Sequence, residues 1–350
     1  MGDIPFDDTA ILGEKNFDTF GCNPYAKNPD TPDFLRPDVE FTRGFRNFDL
    51  DTPDGDEIRI WSFRDEEGGE NNVWPAPTIR YRAGEIAHSK VKARKGTHTI
   101  HHHGIDATPF NDGVGHTSFE VNGNYVYQFQ SRYPGTYFFH CHKNTVLHFE
   151  MGMYGALIVD EPEGPGFVRV GDDKGEAAEL QQVDVEAFWV CDELDQRYRE
   201  LNQNAGLCGE DEGLNLIKPD YFAVSGVLAP ETETDRRVRV AAKLGDKILI
   251  RLLNAAYAVL RTTLPFDAKV ISVDGRSLGG PFHPWSKPFT IKAGEPFELV
   301  SAQRYDILID ADRATAGTDD GEVVFEFLDW IREQPQDGRE AIALTFIDVS

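Results

Sequence analysis

Ten histidines occur in the 350 residues, and eight of them fall between His98 and His148. Seven of the eight come in two blocks. One reads His98-Thr-Ile-His101-His102-His103-Gly104. The other reads His140-Cys141-His142, followed by His148, Met151 and Met153. Imidazole, thiolate and thioether are the donors that bind zinc and copper. Side chains two residues apart leave the same face of a strand. His101 and His103 can therefore reach one site, and His140 and His142 can do so from a second strand. Cys141, between the last pair, leaves the opposite face. One strand then serves two metal sites back to back, separated only by the Cys–His backbone. The thiolate site would be completed by His98, His148 and a thioether, the donor set of a blue-copper centre. Zinc would be bound by the same imidazole and thiolate atoms, but it needs no axial thioether and no adjacent second cluster.

Strands must position these groups. Glu57–Phe63 alternates apolar and polar residues, and further strand-like runs are Thr78–Arg82, Glu85–Ala93, Tyr125–Gln130, Thr136–His140 and Gly155–Val159. Gly68-Gly69, Asn122-Gly123 and Pro134-Gly135 read as turns between them, Asn-Gly most strongly. Nine more strand-like runs follow between Val183 and Val349, and Glu193–Asn204 reads as one short helix. The fold class expected is all-β: two Greek-key β-sandwiches behind an irregular N-terminal arm. The boundaries expected are 1–54 for the arm, 55–165 for the metal-bearing domain and 166–350 for a second domain without metal ligands. The halves share a short repeat. Gly135-Thr-Tyr-Phe-Phe-His140-Cys141-His142 aligns with Gly321-Glu-Val-Val-Phe-Glu326-Phe327-Leu328, and each precedes an apolar closing strand.

The formal net charge is −25, from 60 acidic and 35 basic side chains, of which only 13 are lysine. That excess excludes a nucleic-acid surface and disfavours an anionic membrane surface. It also fits a well-hydrated, salt-adapted exterior. No apolar run is long enough to span a bilayer. Four cysteines are too few for a disulfide scaffold, and Cys191 with Cys208 is the pair that an oxidising compartment could join. The first residues lack the basic start and apolar segment of a leader. The metal chemistry favours a periplasmic or secreted protein whose leader is not present in this sequence.

These motifs resemble the multicopper oxidases, and most closely the laccase-like two-domain members with type 1 copper in the first cupredoxin domain. The family's His-x-x-His-x-His-Gly pattern is matched by His98, His101, His103 and Gly104, and its His-Cys-His pattern by His140, Cys141 and His142. His148 matches the longer Cys-to-His gap of the two-domain subgroup, and Asp112-Gly113 matches an Asp-Gly segment between the motifs. The resemblance spans roughly residues 55–350. It implies a type 1 copper on His98, Cys141, His148 and Met153, with Met151 as the rival axial ligand. It implies a second copper site, of type 2 or type 2 and type 3 character, on His101, His103, His140 and His142, with Asp112 as the candidate catalytic residue for proton delivery. The activity implied is one-electron oxidation of a small-molecule or metal-ion donor with O2 as acceptor. His102 and His116 read as packing or supporting residues, His88 and His283 as surface residues.

The pattern breaks in the second half. A trinuclear cluster in this family takes eight histidines from two domains, and this chain supplies four. Glu326, Phe327 and Leu328 stand at the aligned positions, and Leu260-Arg-Thr-Thr263 has no His-x-His. Three arrangements remain open. Two first domains of a homo-oligomer could pool four histidines each. A single type 2 copper on His103, His140 and His283 would resemble copper nitrite reductases. A lone type 1 copper would make an electron-transfer or copper-handling protein.

Overall fold

The strands follow from alternation, and the computed structural model shows where each pattern lands. It describes residues 37–69, 72–115, 117–118, 120–172, 174, 177–279, 286–311, 321–329 and 341–350. His116, His283, Cys22 and most of the expected arm lie outside them.

The first compact unit contains Arg59–Pro162, Tyr198–Leu214 and the described part of the first fifty residues. Its strands are β1 (Val39–Asp51), β2 (Glu57–Asp65), β3 (Ala76–Arg82), β4 (Ile86–His98), β5 (His101–His103), β6 (Val121–Gln130), β7 (Gly135–His140) and β8 (Tyr154–Asp160). Two short helices interrupt them, α1 (Pro109–Asp112) and α2 (Thr145–Glu150). One sheet runs β2-β1-β4-β6 and the other β3-β8-β7-β5. Their inward faces bury Ile79, Tyr81, Val91, Tyr127, Phe129, Phe139, Leu157 and Val159 in one core. Each such side chain contributes about 1.5–3 kcal/mol by leaving water.

Three expectations change here. The described part of the arm is not irregular, because β1 pairs in parallel with β4, Val39 opposite Ala87. Val39, Phe41 and Phe45 turn inward at period two, and the charged Arg43 among them hides that alternation. Asn122-Gly123 is not a hairpin turn. Both residues lie inside β6, Gly123 opposite Ala93, next to the register shift that ends at His98. The positive φ of Gly123 serves a bulge rather than a turn. His88 is not a surface residue either. It is buried on β4, opposite Glu40 of β1 and Gln128 of β6.

The second unit contains Glu163–Arg197 and Asn215–Ser350 together with Asp51–Ile58. It starts with a hairpin, β9 (Phe167–Gly171) and β10 (Ala178–Gln182). Then come β11 (Val185–Leu194), β12 (Tyr221–Val224), β13 (Val227–Leu228), β14 (Val240–Ala242), β15 (Lys247–Asn254) and β16 (Val259–Thr263). They are followed by β17 (Ala268–Val273), β18 (Arg276–Ser277), β19 (Phe289–Ile291), β20 (Phe297–Leu299), β21 (Arg304–Asp310), β22 (Glu322–Leu328) and β23 (Ile342–Val349). The sheets run β13-β12-β11-β15-β21-β17-β18, with β19 on β17, and β14-β23-β22-β16-β20.

The two units repeat one pairing scheme. β1 is parallel to β4 as β11 is to β15, and β3 is parallel to β8 as β14 is to β23. β7 lies between β8 and β5 as β22 lies between β23 and β16. The chain is therefore two β-sandwiches of one topology. Tyr198–Leu214 packs in the first unit, although the sequence reading places all of 166–350 in the second domain. Within 193–204 the helical element is a 3-10 turn, Gln196–Glu200. Cys191 is buried in the second core, Cys208 is exposed, and both thiols are free.

Candidate metal centres

Cys141 follows the last residue of β7, and its thiol enters the apolar core between the sheets. His98 ends β4, and its Nδ1 lies 3.7 Å from Cys141 Sγ. His148 comes from α2, and its Nδ1 lies 3.3 Å from the same sulfur. These three ligand atoms all lie within 4.8 Å of one another. Main-chain bonds fix the loop that carries them: Cys141 N donates to Met153 O at 3.0 Å, and Met153 N donates to His148 O at 3.0 Å. Met153 is buried in the Cys141 core, whereas Met151 packs with Leu147 and Tyr198. The Sδ of Met151 is met by Arg199 Nη1 at 3.6 Å.

His101 and His103 leave one face of β5, and His140 leaves the facing position of β7, directly opposite His101. The ligand atoms of these three also lie within 4.8 Å of one another. His142 joins their edge, its ring centroid 5.4 Å from that of His101 and 5.6 Å from that of His140. His140 Nδ1 donates to Cys141 O at 2.9 Å, which leaves the lone pair of Nε2, 3.4 Å from His103 Nδ1, facing the cluster. His101 Nδ1 donates to Asp112 O at 2.6 Å, which leaves its lone pair on Nε2. An outer bond of this kind fixes the tautomer and ring angle of a metal-binding imidazole. The Asp112 carboxylate lies 3.3 Å from His101 Nδ1, so it acts directly on a candidate ligand. Gly113 closes α1 at φ 72°, and a Cβ there would run into Ile100 O, just before β5. Only glycine lets the Asp112 turn sit so close to His101.

Burial sets the protonation states. It holds His98 at about 3 and His148 at about 4, below the ordinary 6.5, and His140 well below it. All three are neutral near pH 7 and can donate a lone pair. Burial also pushes the Cys141 thiol up to about 11, so metal binding there must displace its proton. His102, on the opposite face of β5, packs edge-on to Tyr127 and tilted against Phe129, and burial holds it at about 3.

Sequence reasoning missed the groups around the first cluster. Phe45 of β1 stacks on His98, centroids 4.1 Å apart, and Trp61 of β2 meets His148 edge-on at 5.5 Å. His148 Nε2 donates to Gln203 O at 3.0 Å. Asn144 Nδ2 donates to Gln203 O and Ala205 O. Arg199 Nη2 pairs with Glu150 at 3.0 Å, both side chains almost fully buried. Main-chain acceptors such as Gln203 O leave no trace in residue type. The signal that could have found this segment is the long connection between two core strands of the second unit.

The donor sets fit copper. Two neutral imidazoles and a thiol converge in a dry core beside a thioether, and three imidazoles converge on the other side of the same strand end. Among the described residues these are the two groups of three or more side chains placed to hold a metal.

Comparison with known proteins agrees. A multicopper oxidase family model matches residues 64–164. Over 99 residues the chain is 40% identical to copper resistance protein A of Escherichia coli, a match covering 27% of this chain and 16% of that protein. The chain thus spans a small part of such a relative. The crystal structure of a blue copper oxidase from Nitrosomonas europaea superposes with TM-score 0.63 at 20% identity, covering 89% of this chain and 86% of that one. A copper nitrite reductase from Nitrosomonas europaea superposes with TM-score 0.59 at 16% identity, covering 88% and 93%. At those identities the likeness speaks to the fold.

Proposed function

Since the chain carries a multicopper oxidase domain and folds as cupredoxin sandwiches, we propose that it is a copper-dependent oxidoreductase of multicopper oxidase type. The reaction is one-electron oxidation of a small-molecule or metal-ion donor, coupled to reduction of O2 by four electrons and four protons to two waters. Copper bound at the two centres would cycle between its two oxidation states and so carry electrons one at a time from donor to acceptor.

The chain's own residues define the rest. His98, Cys141, His148 and Met153 would hold the type 1 copper. His101, His103, His140 and His142 would hold the second site. The carrying observation is that Cys141 belongs to one cluster by its side chain and to the other by its backbone. Its peptide bonds lead to His140 and His142, and its carbonyl accepts from His140 Nδ1 at 2.9 Å. The two sites are thus joined by covalent bonds and one hydrogen bond. Asp112 orients His101 and offers a half-exposed carboxylate that can take protons from solvent to that site.

The second unit supports a homo-oligomer. The positions equivalent to His101 and His140 there are Arg261 and Glu326. A larger cluster would then draw its further imidazoles from the same strands of another copy. A periplasmic or secreted location is part of this reading. It is consistent with a chain in which no described helix is long and apolar enough to cross a membrane.

The test is copper content, visible absorption and oxygen uptake on copper-loaded protein. The oxidase reading requires an intense visible band, at least about two coppers per chain and O2 consumption with a one-electron donor. A second reading, a nitrite-reductase-like single copper, is favoured by the convergence of three imidazoles rather than four at the second site. Two coppers per chain with turnover of nitrite and none of O2 would select it.

A further inference from the structure

The residue after His142 is a lysine whose backbone stays beside the thiol. Lys143 O lies 3.9 Å from Cys141 Sγ, and the Lys143 ammonium pairs with Glu120 Oε2 at 2.7 Å. Glu120 stands immediately before Val121, the β6 residue opposite His98. The lysine side chain is 12% exposed and the glutamate 40%. Resting on the reading of His98, Cys141, His148 and Met153 as a type 1 copper site, we propose that Lys143 and Glu120 set the electron affinity of that centre and leave the second centre unaffected. Lys143 favours the reduced metal, Glu120 favours the oxidised metal, and the lysine outweighs the glutamate.

Placement is the first support. Lys143 comes from the chain just beyond β7, and Glu120 from the chain just before β6, so the ion pair ties together the strand ends beside Cys141 and His98. Their charges reach one cluster. Burial dominates the protonation of His98, His148 and Cys141, and the Lys143 ammonium adds to it by opposing a proton on both imidazoles. The Glu120 carboxylate works the other way, favouring a proton on His148 and on the Cys141 thiol. At His140, after burial, the charges that bear on the ring are those of His101, His103 and His142.

The sign follows from charge balance. A copper ion held by one thiolate and otherwise neutral donors leaves a single positive charge when oxidised and none when reduced. A neighbouring cation therefore favours the reduced ion, and a neighbouring anion favours the oxidised one. The nearly buried ammonium acts through a weakly polarisable core, whereas water and salt screen the more exposed carboxylate. The net effect strengthens the pull on a donor's electron at the first centre. The same pull weakens the drive for that electron to move on, because the second centre lies outside the reach of the pair. Lys143 and Glu120 thus divide the driving force between electron entry and onward transfer.

The experiment measures Cu(I) and Cu(II) affinities by chelator competition in two backgrounds of the full chain. His101→Ala with His103→Ala leaves the first centre to be read, and Cys141→Ala leaves the second. At the first centre we expect Lys143→Gln to lower the ratio of Cu(I) to Cu(II) affinity at least about fivefold, and Glu120→Gln to raise it by a smaller factor. Lys143→Arg keeps the charge and should stay within about twofold of its parent. At the second centre all three substitutions should stay within about that same range. In otherwise wild-type protein, redox titration of the visible band should show Lys143→Gln lower by at least ~40 mV, since a tenfold ratio is about 59 mV for one electron. A smaller shift in Lys143→Gln, shifts of one sign in both glutamine variants, an equal loss in Lys143→Arg or an equal shift at the second centre would each overturn the assignment. Absence of any visible band in wild type would instead overturn the type 1 reading, and competition at the Cys141 site would still decide the role of the pair.

Discussion

The strand pair β5/β7 in the first unit and the pair β16/β22 in the second are built alike and loaded differently. In the first, His101 stands opposite His140, and the next residue is Cys141. In the second, Arg261 stands opposite Glu326, and the next residue is Phe327. Arg261 pairs with Glu298 at 2.8 Å on a half-exposed edge, and Phe327 is buried against Phe222. One backbone plan therefore carries candidate metal donors in one unit and an ordinary sheet interior in the other. The sandwich supplies positions and dryness; donor atoms supply chemistry.

That comparison breaks most sharply at Cys141. Cys141→Ser should abolish the visible absorption of copper-loaded protein entirely, while Phe327→Leu in the second unit should leave the spectrum unchanged. A retained band in the serine variant would remove the thiolate from the account. The second cluster should fail separately. His103→Ala should lower the copper content and stop O2 uptake, yet keep the visible band, whereas Glu326→Ala should alter none of the three.

The buried pair Arg199–Glu150 sharpens the role of the segment that caps His148. Arg199→Met leaves an uncompensated carboxylate beside α2 and should cost about 3–5 kcal/mol in denaturant unfolding. Arg199→Met with Glu150→Leu should recover most of that loss. An unchanged midpoint in the single variant would show that the segment does not depend on the pair. Gly113→Ala should cost at least ~2 kcal/mol, because an L side chain resists φ 72° and its Cβ meets Ile100 O.

Acid is a gentler probe. His88 and His148 sit at about 4, and His98 and His102 at about 3, all below the ordinary 6.5 through burial. The unfolded chain binds their protons first, so stability is full above about pH 6.5 and falls as pH drops from there toward 4. Thermal unfolding of copper-free protein should show this decline. Copper loading should raise the midpoint at pH 7 and do so less at pH 5, because ligands must be free of protons.

Much of the site was legible because ligation constrains residue type and spacing together. His-x-His on a strand, Cys between two histidines and the Asp112-Gly113 turn each need a particular side chain at a particular place. The sandwich was legible from period-two runs. What escaped detection was set by tertiary context. β1 was obscured by Arg43, a buried cation at 2% exposure on its inward face, paired with Asp65 at 3.5 Å. Gly123 carries the same local signal for a bulge as for a turn. His88 is buried between neighbours that only the sheet brings together, Glu40 of β1 and Gln128 of β6, and Gln203 meets His148 through its backbone.

Two copper centres are proposed for the first unit and none for the equivalent strands of the second. Anomalous diffraction at the copper absorption edge, on crystals of copper-loaded protein, tests this directly. The expected map has one peak among His98, Cys141 and His148 and further density among His101, His103 and His140, with none beside Arg261 and Glu326. A peak in the second unit, or an empty Cys141 site in fully loaded protein, would contradict it.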